Sequence, residues 1–201
     1  MKKLVKSYGI EYIVHFTRMK NLDNILKNGL KSRKKLEKDN KKFHFNDSHR
    51  NDNQKDAICC SVCHPNYKMF YKLRQEKSKK WVVLLIKKNI IWKYKCAFCT
   101  ENASSNNVTS ILLKKRKGKK AFKKLYGKKK LRKKCKIFNP YPTNPQAEIL
   151  VFNDIKSTDI ISIVFENQKK IKKYKKKYKK FNFKIDKKYF QARKDYSCWT
   201  K

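Results

Sequence analysis

The sequence has no long hydrophobic run and no secretory signal. Its longest continuous apolar run, residues 81–86, is far too short to cross a membrane. The N-terminus is basic, but its mildly apolar part, residues 10–16, is interrupted by Glu11. We therefore expect a soluble cytoplasmic protein with no membrane partner, in which the 7 cysteines are mostly free thiols.

Acidic residues, glycine and proline are also scarce. There are 15 Asp and Glu against 56 Lys and Arg, which gives a formal charge of +41, and only 4 Gly and 4 Pro. A charge of this size predicts a polyanionic partner, nucleic acid before membrane. Lysine greatly outnumbers arginine, however, and Asn, Ile, Tyr and Phe are plentiful, a pattern that an AT-rich genome imposes on any protein. We therefore interpret charge only where its position along the chain is informative.

The chain does have enough apolar and aromatic residues for a core. Hydrophobic residues make up 39%, with 12 Phe, 11 Tyr and 3 Trp, which excludes a disordered polycation. Apolar patterns predict strands at residues 11–17, 57–62, 81–86, 149–152, 160–165 and 181–185. They predict helices that carry Leu22 to Leu26, Met69 to Leu73 and Phe122 to Leu125, and a lysine-rich helix at residues 168–180. This order predicts one mixed α/β or α+β domain over residues 1–201.

One carboxylate stands at the junction of a loop and a strand. Glu148 follows the proline-bearing loop 140–145 and opens the apolar run 149–152. A charge that enters a core without a partner is costly. Glu148 therefore either forms an ion pair with one of the many lysines or takes part in chemistry.

A lysine tract, residues 114–136, immediately precedes that loop. It is either a solvated face or a surface that draws a phosphate backbone toward Glu148. Three aromatic side chains in this part of the chain offer stacking surfaces for unpaired bases: Phe122, Tyr126 and Tyr141. The combination favours a single-stranded nucleic acid as the partner.

The cysteines suggest two kinds of metal site. Cys60-Ser-Val-Cys63-His64 matches the haem-attachment pattern, and Cys60 and Cys63 together with Cys96 and Cys99 imitate a paired zinc knuckle. Haem attachment of this type needs export, for which the sequence has no signal. Zinc would require the strand at Cys60 to end before Cys63, because residues three apart in a strand point to opposite faces. Buried free cysteines are the preferred interpretation, and we expect no metal, although zinc stays open.

Several short motifs occur in a fixed order along the chain. Taken singly, each is weak, since a strand histidine is usually a core residue and Thr17 could simply cap a helix. The motifs are His15-x-Thr17, Asn21-Leu22-x-x-Ile25-Leu26-x-x-Gly29-Leu30, Arg50, Ser61-Val62-x-x-Pro65-Asn66-Tyr67-Lys68-Met69-Phe70, Asn102-Ala103-Ser104 and Gln146-Ala147-Glu148-Ile149-Leu150-Val151.

In this order the motifs resemble those of the DarT-type ADP-ribosyltransferases, NAD-dependent toxins that modify bases in single-stranded DNA. The resemblance covers about residues 11–152. The run 65–70 is closer to the guanosine-modifying subgroup than to the thymidine-modifying one. The resemblance implies an α+β fold with a split central β-sheet and short flanking helices, and a macrodomain-like or related hydrolase antitoxin as partner.

The resemblance also implies roles for individual residues. His15, Phe16, Thr17, Asn24 and Ser32 would bind NAD, and residues 33–52 would fold over the dinucleotide. Arg50 would grip the pyrophosphate and help to activate the base, as the planar fork of arginine suits phosphate oxygens. Residues 105–148 would form the substrate-recognition loop, which ends at the catalytic Glu148. The sequence has no Gly-x-Gly-x-x-Gly, so NAD would not be held as in a Rossmann fold.

The chemistry fits these parts. Cleavage of the nicotinamide–ribose bond develops oxocarbenium character, which a nearby carboxylate stabilises. The acceptor base must be unpaired to present its nucleophilic atom, which explains a preference for single strands. The leading hypothesis is an NAD-dependent enzyme that ADP-ribosylates a base in single-stranded DNA, guanosine before thymidine. The alternatives are RNA or protein as acceptor, or a non-catalytic basic protein that binds nucleic acid.

Overall fold

Seven strands form one sheet, in the order β4-β5-β2-β1-β3-β6-β7. A computed structural model describes residues 1–41, 43–44, 52–75, 80–168 and 171–199. The strands are β1 (Tyr12–Arg18), β2 (Ile58–Val62), β3 (Trp81–Lys87), β4 (Cys96–Cys99), β5 (Glu148–Val151), β6 (Ile160–Phe165) and β7 (Phe183–Ile185). All neighbouring strands are antiparallel except β6 and β7, which are parallel.

Short helices surround this sheet. They are α1 (Lys2–Ser7), α2 (Leu22–Asn28), α3 (Arg33–Lys38), α4 (Tyr67–Arg74), α5 (Ile90–Lys93), α6 (Asn106–Thr109), α7 (Gly118–Lys124), α8 (Lys129–Lys134) and α9 (Ile171–Lys177). In the ranges that the structure describes, no helix has the length and apolar character needed to cross a membrane.

The central strand β1 and its neighbour β3 organise the core. Alternate residues of β3 enter two different clusters: Val82, Leu84 and Ile86 pack into the larger one, and Val83 and Leu85 into the smaller. A strand covered on both faces is apolar at every position. This explains why residues 81–86 read as a continuous apolar run.

The register of the sheet brings distant residues to the same level. Val14 of β1 lies opposite Ser61 of β2, and Glu148 of β5 lies opposite Cys99 of β4. Because Cys60 pairs with Ile149, Ser61 is level with Glu148. Cys99, Glu148, Ser61 and Val14 therefore lie in one row across β4, β5, β2 and β1. This row places Glu148 two strands from the central strand β1.

Most predicted elements are confirmed, and several short ones that sequence patterns did not reveal are present. The strands β1, β2, β3, β5 and β6 and the helix α2 lie within a residue or two of their predicted positions. The sequence did not predict α1, α3, α5, α6, α8 or β4. The four residues of β4 are too few for a period to be read, and α3 lies in a segment that was expected to be irregular.

Two of the three proposed stacking aromatics are core residues, so that prediction was wrong. Phe122 is completely buried, and Tyr126 is 5% exposed and stacks on Tyr8 with ring centroids 3.7 Å apart. The helical spacing of the lysine tract serves to place apolar side chains under β4, while the lysines between them point outward. Tyr141 is only partly buried.

The cysteines do not converge on one point. Cys60, Cys63 and Cys96 pack in the larger cluster, whereas Cys99 belongs to a third cluster with Ala103 and Leu150. Five cysteines are free thiols, and Cys135 and Cys198 form a disulfide. Among the described residues there is no group of three or more His, Cys, Asp or Glu that could hold a metal.

The C-terminal segment secures the loop that leads to β5. Arg193 is buried, pairs with Asp195, and donates from Nη1 to the carbonyl of Pro142 over 3.0 Å. From α8, Arg132 donates to the carbonyl of Tyr141 at 2.8 Å. Charge-assisted bonds of this kind are stronger than neutral ones. The irregular loop before Glu148 is therefore held by two arginines.

Gly29 ends α2 at a point of close approach. Its φ is +79°, and a Cβ there would collide with the carbonyl oxygen of Ile155. The next residue, Leu30, exchanges both backbone hydrogen bonds with Ile155, at 2.8 and 2.9 Å. Only glycine allows both the left-handed turn and this contact.

We predict that Gly29→Ala destabilises the fold much more than Gly118→Ala. Gly118 has a similar φ, +80°, but nothing lies within 4 Å of a Cβ built there. Gly118→Ala should therefore lower the free energy of unfolding by about 1 kcal/mol, the cost of placing alanine in a left-handed conformation. Gly29→Ala should lower it by about 3 kcal/mol, since the clash is added. Urea denaturation of both variants measures the difference, and equal losses would contradict the clash.

Candidate active site

One cavity of about 190 Å³ opens beside the middle of the sheet. Its walls come from the second half of β1, from α2 and the start of α3, from β2 with Asp52 before it, and from the turn at 102–104. Phe43, His44 and Met69 complete the lining, and Glu148 lies in the same cavity. Many of these lining residues are apolar or aromatic, and a few polar groups converge on the cavity. This combination is typical of ligand-binding sites.

Glu148 is 5% exposed and held through both carboxylate oxygens. Oε1 accepts a hydrogen bond from Nδ2 of Asn66 at 3.1 Å, and Oε2 accepts one from the backbone N–H of Ala103 at 2.8 Å. The Ala103 N–H is presented by a tight turn, in which Oδ1 of Asn102 accepts from the N–H of Ser104. A buried carboxylate requires such donors.

Each residue of the His15-Phe16-Thr17 motif is fixed by a contact of its own. Nδ1 of His15 lies 2.8 Å from the carbonyl of Cys59; since a carbonyl only accepts, Nδ1 carries the proton. Phe16 stacks on Phe70 with centroids 4.5 Å apart. Thr17 is buried, and its Oγ1 accepts from Asn21 at 3.0 Å. All three residues line the cavity.

Asn21 connects the end of β1 to His44, which lines the cavity together with Phe43. Its Nδ2 donates to Oγ1 of Thr17 and, at 2.7 Å, to the carbonyl of His44. Its Oδ1 accepts from the N–H of His44 at 2.9 Å. One side chain thus makes two hydrogen bonds to the backbone of His44 and holds it against the site.

Charges of both signs line the cavity. Lys31 and Arg33 stand at the start of α3, and Arg33 also donates to Glu37 at 2.7 Å. Asp52, which is buried, adds a second carboxylate besides Glu148 and accepts from the N–H of Gln54. Cations suit phosphate oxygens, and carboxylates suit sugar hydroxyls. The lining therefore fits a molecule that carries both groups.

The thiol opposite Glu148 is neutral. Burial, and secondarily the charge of Glu148, raises the pKa of Cys99 to about 12. Cys60, on the neighbouring strand, has a pKa raised well above its ordinary value, again chiefly by burial. Neither thiol is ionised at neutral pH, so neither supplies a thiolate nucleophile or metal ligand beside the carboxylate.

The structure brings together five of the seven residues predicted for the site. His15, Phe16, Thr17, Asn24 and Glu148 all line the cavity. Ser32 does not line it, although both its neighbours do; its Oγ caps α3 by accepting from the N–H of Lys35 at 3.3 Å. Arg50 lies outside the described residues.

Other residues of the site were not singled out by sequence reasoning. Asn66, the partner of Glu148, is separated from it by 82 positions and was only part of a motif. Asp52 and Phe43 lie in the segment that was expected to be irregular and carried no periodic signal. The motif Asn102-Ala103-Ser104 lies at the site, but the group that donates to Glu148 is the backbone N–H of Ala103, which no side-chain pattern reveals.

Solved structures of DarT proteins are similar to this fold. The structure "Thermosipho africanus DarTG in complex with ADP-ribose" is similar at a TM-score of 0.63 and 17% identity, over 90% of this chain and 51% of that one. The structure "Thermus sp. 2.9 DarT in complex with ADP-ribosylated ssDNA" gives 0.58 and 14%, over 91% and 97%. The same Thermus protein in complex with NAD⁺ gives 0.53 and 13%, over 89% and 96%. This chain thus spans about half of the Thermosipho chain.

A family model agrees with that architecture. The model described as "ssDNA thymidine ADP-ribosyltransferase, DarT" matches residues 14–196. The chain therefore belongs to the DarT family. No curated protein sequence gives a significant match. At these identities the solved structures establish the shared fold, while the family model establishes the membership.

We predict that Asn21→Ala frees the segment at His44. The His44 N–H loses its acceptor, so its hydrogen exchange should become about 10-fold faster, which corresponds to about 1.4 kcal/mol of lost protection. Asn28→Ala is the matched control, at the far end of the helix that Asn21 precedes, because Asn28 bonds only Asn24 among the contacts described for its side chain. Exchange at His44 that is unchanged in Asn21→Ala would refute this role.

Proposed function

We propose that this protein cleaves NAD and transfers ADP-ribose to a base of single-stranded DNA. The observation that carries the proposal is the position of Glu148: a buried carboxylate, held through both oxygens, in the cavity lined by His15, Phe16 and Thr17. The solved relatives with NAD⁺ and with ADP-ribosylated DNA share this fold and support the proposal. NAD is a substrate here, and the proposal includes no metal.

The residues of the cavity would divide the work as follows. His15, Phe16 and Thr17 would hold the nicotinamide end of NAD on the rigid strand β1, and Asn24 would contact it from α2. Glu148 would stabilise the positive charge that develops on the ribose as the nicotinamide leaves, in a site from which water is excluded. A carboxylate with fixed orientation is effective because it does not need to reorganise during the reaction.

Two segments would complete the site. We propose that residues 33–52 fold over the dinucleotide, with Arg50 at the pyrophosphate. Arg33, the first residue of this segment, and Lys31, two residues before it, line the cavity. We propose that residues 105–148 recognise the DNA strand. In the structure this segment carries α7 and α8, whose exposed lysines offer a positive surface to a phosphate backbone.

We further propose that the protein is the toxin of a toxin–antitoxin pair and acts in the cytoplasm, where NAD and DNA meet. Its partner would be a hydrolase of the macrodomain or a related type that removes ADP-ribose from DNA. The similarity to a structure described as DarTG supports this pairing. A gene for such a hydrolase beside this one would support it further.

The modified base is proposed to be guanosine, with thymidine as the alternative. Residues 65–70 resemble the guanosine-modifying subgroup. Within this run, Asn66 donates to Glu148 and Met69 lines the cavity. The family description, in contrast, names thymidine. Oligonucleotides that contain only one of the two bases decide the matter: transfer to a guanosine-only strand supports the first assignment, and transfer restricted to thymidine strands overturns it.

We predict that Glu148→Gln lowers the rate of transfer by at least about 1,000-fold, because it removes the charge that stabilises the transition state while keeping the shape. The assay incubates protein with NAD and single-stranded oligonucleotides and detects a slower-migrating product. Glu166→Gln is the matched control, since Glu166 pairs with Arg74 on the surface and does not line the cavity.

The same assay separates the remaining possibilities. Product on RNA or protein but on no DNA strand would move the acceptor to the second class. Salt-dependent binding of DNA with no NAD consumption, equal in wild type and Glu148→Gln, would identify a non-catalytic binding protein and overturn the proposal.

A further inference from the structure

A single buried amide connects Glu148 to the rest of the molecule. Asn66 is 0% exposed, and each of its polar groups has a partner. Nδ2 donates to Oε1 of Glu148 at 3.1 Å, Oδ1 accepts from the N–H of Met69 at 3.4 Å, and the backbone N–H donates to Oγ of Ser61 at 3.1 Å. Asn66 is thus bonded to β5, α4 and β2 at once.

The turn that delivers Asn66 is conformationally demanding. Cys63, directly after β2, has φ of +57°, a left-handed conformation that non-glycine residues rarely adopt. The N–H of the next residue, His64, donates to the carbonyl of Val62 at 2.7 Å. The chain therefore reverses tightly between β2 and α4. Such strain persists only where the surroundings enforce it, and here it allows the side chain of Asn66 to reach Glu148.

Asn66 itself does not line the cavity; the neighbouring Met69 and Ser61 do. It therefore acts on the reaction through the residues that it bonds, and among these Glu148 is the one that carries the proposed chemistry. Its amide presents two N–H groups and one oxygen, and the oxygen is occupied as the cap of α4, so the group that faces Glu148 is a donor. A donor at this place stabilises the ionised carboxylate and stops its rotation.

We propose that Asn66 is the positioning residue of Glu148: it fixes the carboxylate, ionised and correctly oriented, against the ribose of the bound dinucleotide. This inference rests on the proposed function. A role confined to capping α4 is the competing explanation. The two are distinguishable, because Asp and Ser also cap helices well but cannot donate an N–H to Glu148.

The decisive variant is Asn66→Asp, which keeps size and cap but turns the donor into a carboxylate. At about pH 8 two facing carboxylates repel, so Glu148 is displaced and the transfer rate should fall about 100-fold. At about pH 5.5 the pair shares one proton, and an O–H donor replaces the N–H, so the variant should regain activity relative to wild type as the pH falls. Asn66→Ser should lose activity at every pH, because its hydroxyl is too short to reach Glu148.

Three controls accompany the profile. Asn153→Asp makes the same chemical change at a residue whose side chain accepts from the N–H of Lys95 and lies outside the cavity lining; it should follow the wild-type profile. The dissociation constant of NAD should stay within about 3-fold in Asn66→Asp, since Asn66 does not line the cavity. Thermal melting confirms that each variant is folded.

The outcomes distinguish a failure of the proposed function from a failure of the role proposed for Asn66. A wild-type protein that transfers nothing to any oligonucleotide removes the proposed function, and this inference with it. An active wild type together with an Asn66→Asp variant of unchanged rate, or one whose deficit is the same at every pH, overturns the inference alone. A deficit that diminishes as the pH falls supports it.

Discussion

The site depends on Glu148, a carboxylate that is buried and whose orientation is fixed by hydrogen bonds. Glu148 has lost almost all contact with water, and its two oxygens are compensated by donors that come from elements 82 and 45 residues away. One of these donors is a side-chain amide and the other a backbone N–H. Both are fixed by the fold, so the carboxylate is held in one orientation, which is what the proposed reaction needs.

The rest of the fold can be understood as support for that arrangement. The sheet places β5 beside β2, and β2 beside the motif strand β1, so that Glu148 and the His15-Phe16-Thr17 motif line one cavity. The loop before Glu148 has no regular structure, yet Arg132 and Arg193 bind its carbonyl groups. Since Arg193 belongs to the C-terminal segment, the end of the described chain contributes to the position of a residue almost 50 positions earlier.

The parts that were predictable are those with a local signal. The alternation in β1, the apolar run of β3 and the Gly29 that ends α2 are each written in a few consecutive residues, and Glu148 stood out because a carboxylate opens an apolar strand. The partners of Glu148 have no such signal, because the contacts exist only after β2, β4 and β5 have paired. The lysine tract led to a wrong prediction. Phe122 and Tyr126 were expected to be stacking surfaces, whereas both are buried in the core beneath β4.

The dependence on Asn66 has a genetic consequence. Asparagine and lysine codons differ only in their third base, so a single nucleotide change converts Asn66 to lysine. The chain is rich in both residues. An ammonium group in that fully buried place would lie beside Glu148 and pair with it. Under the proposed function, the protein would then keep its full length and lose its transfer activity.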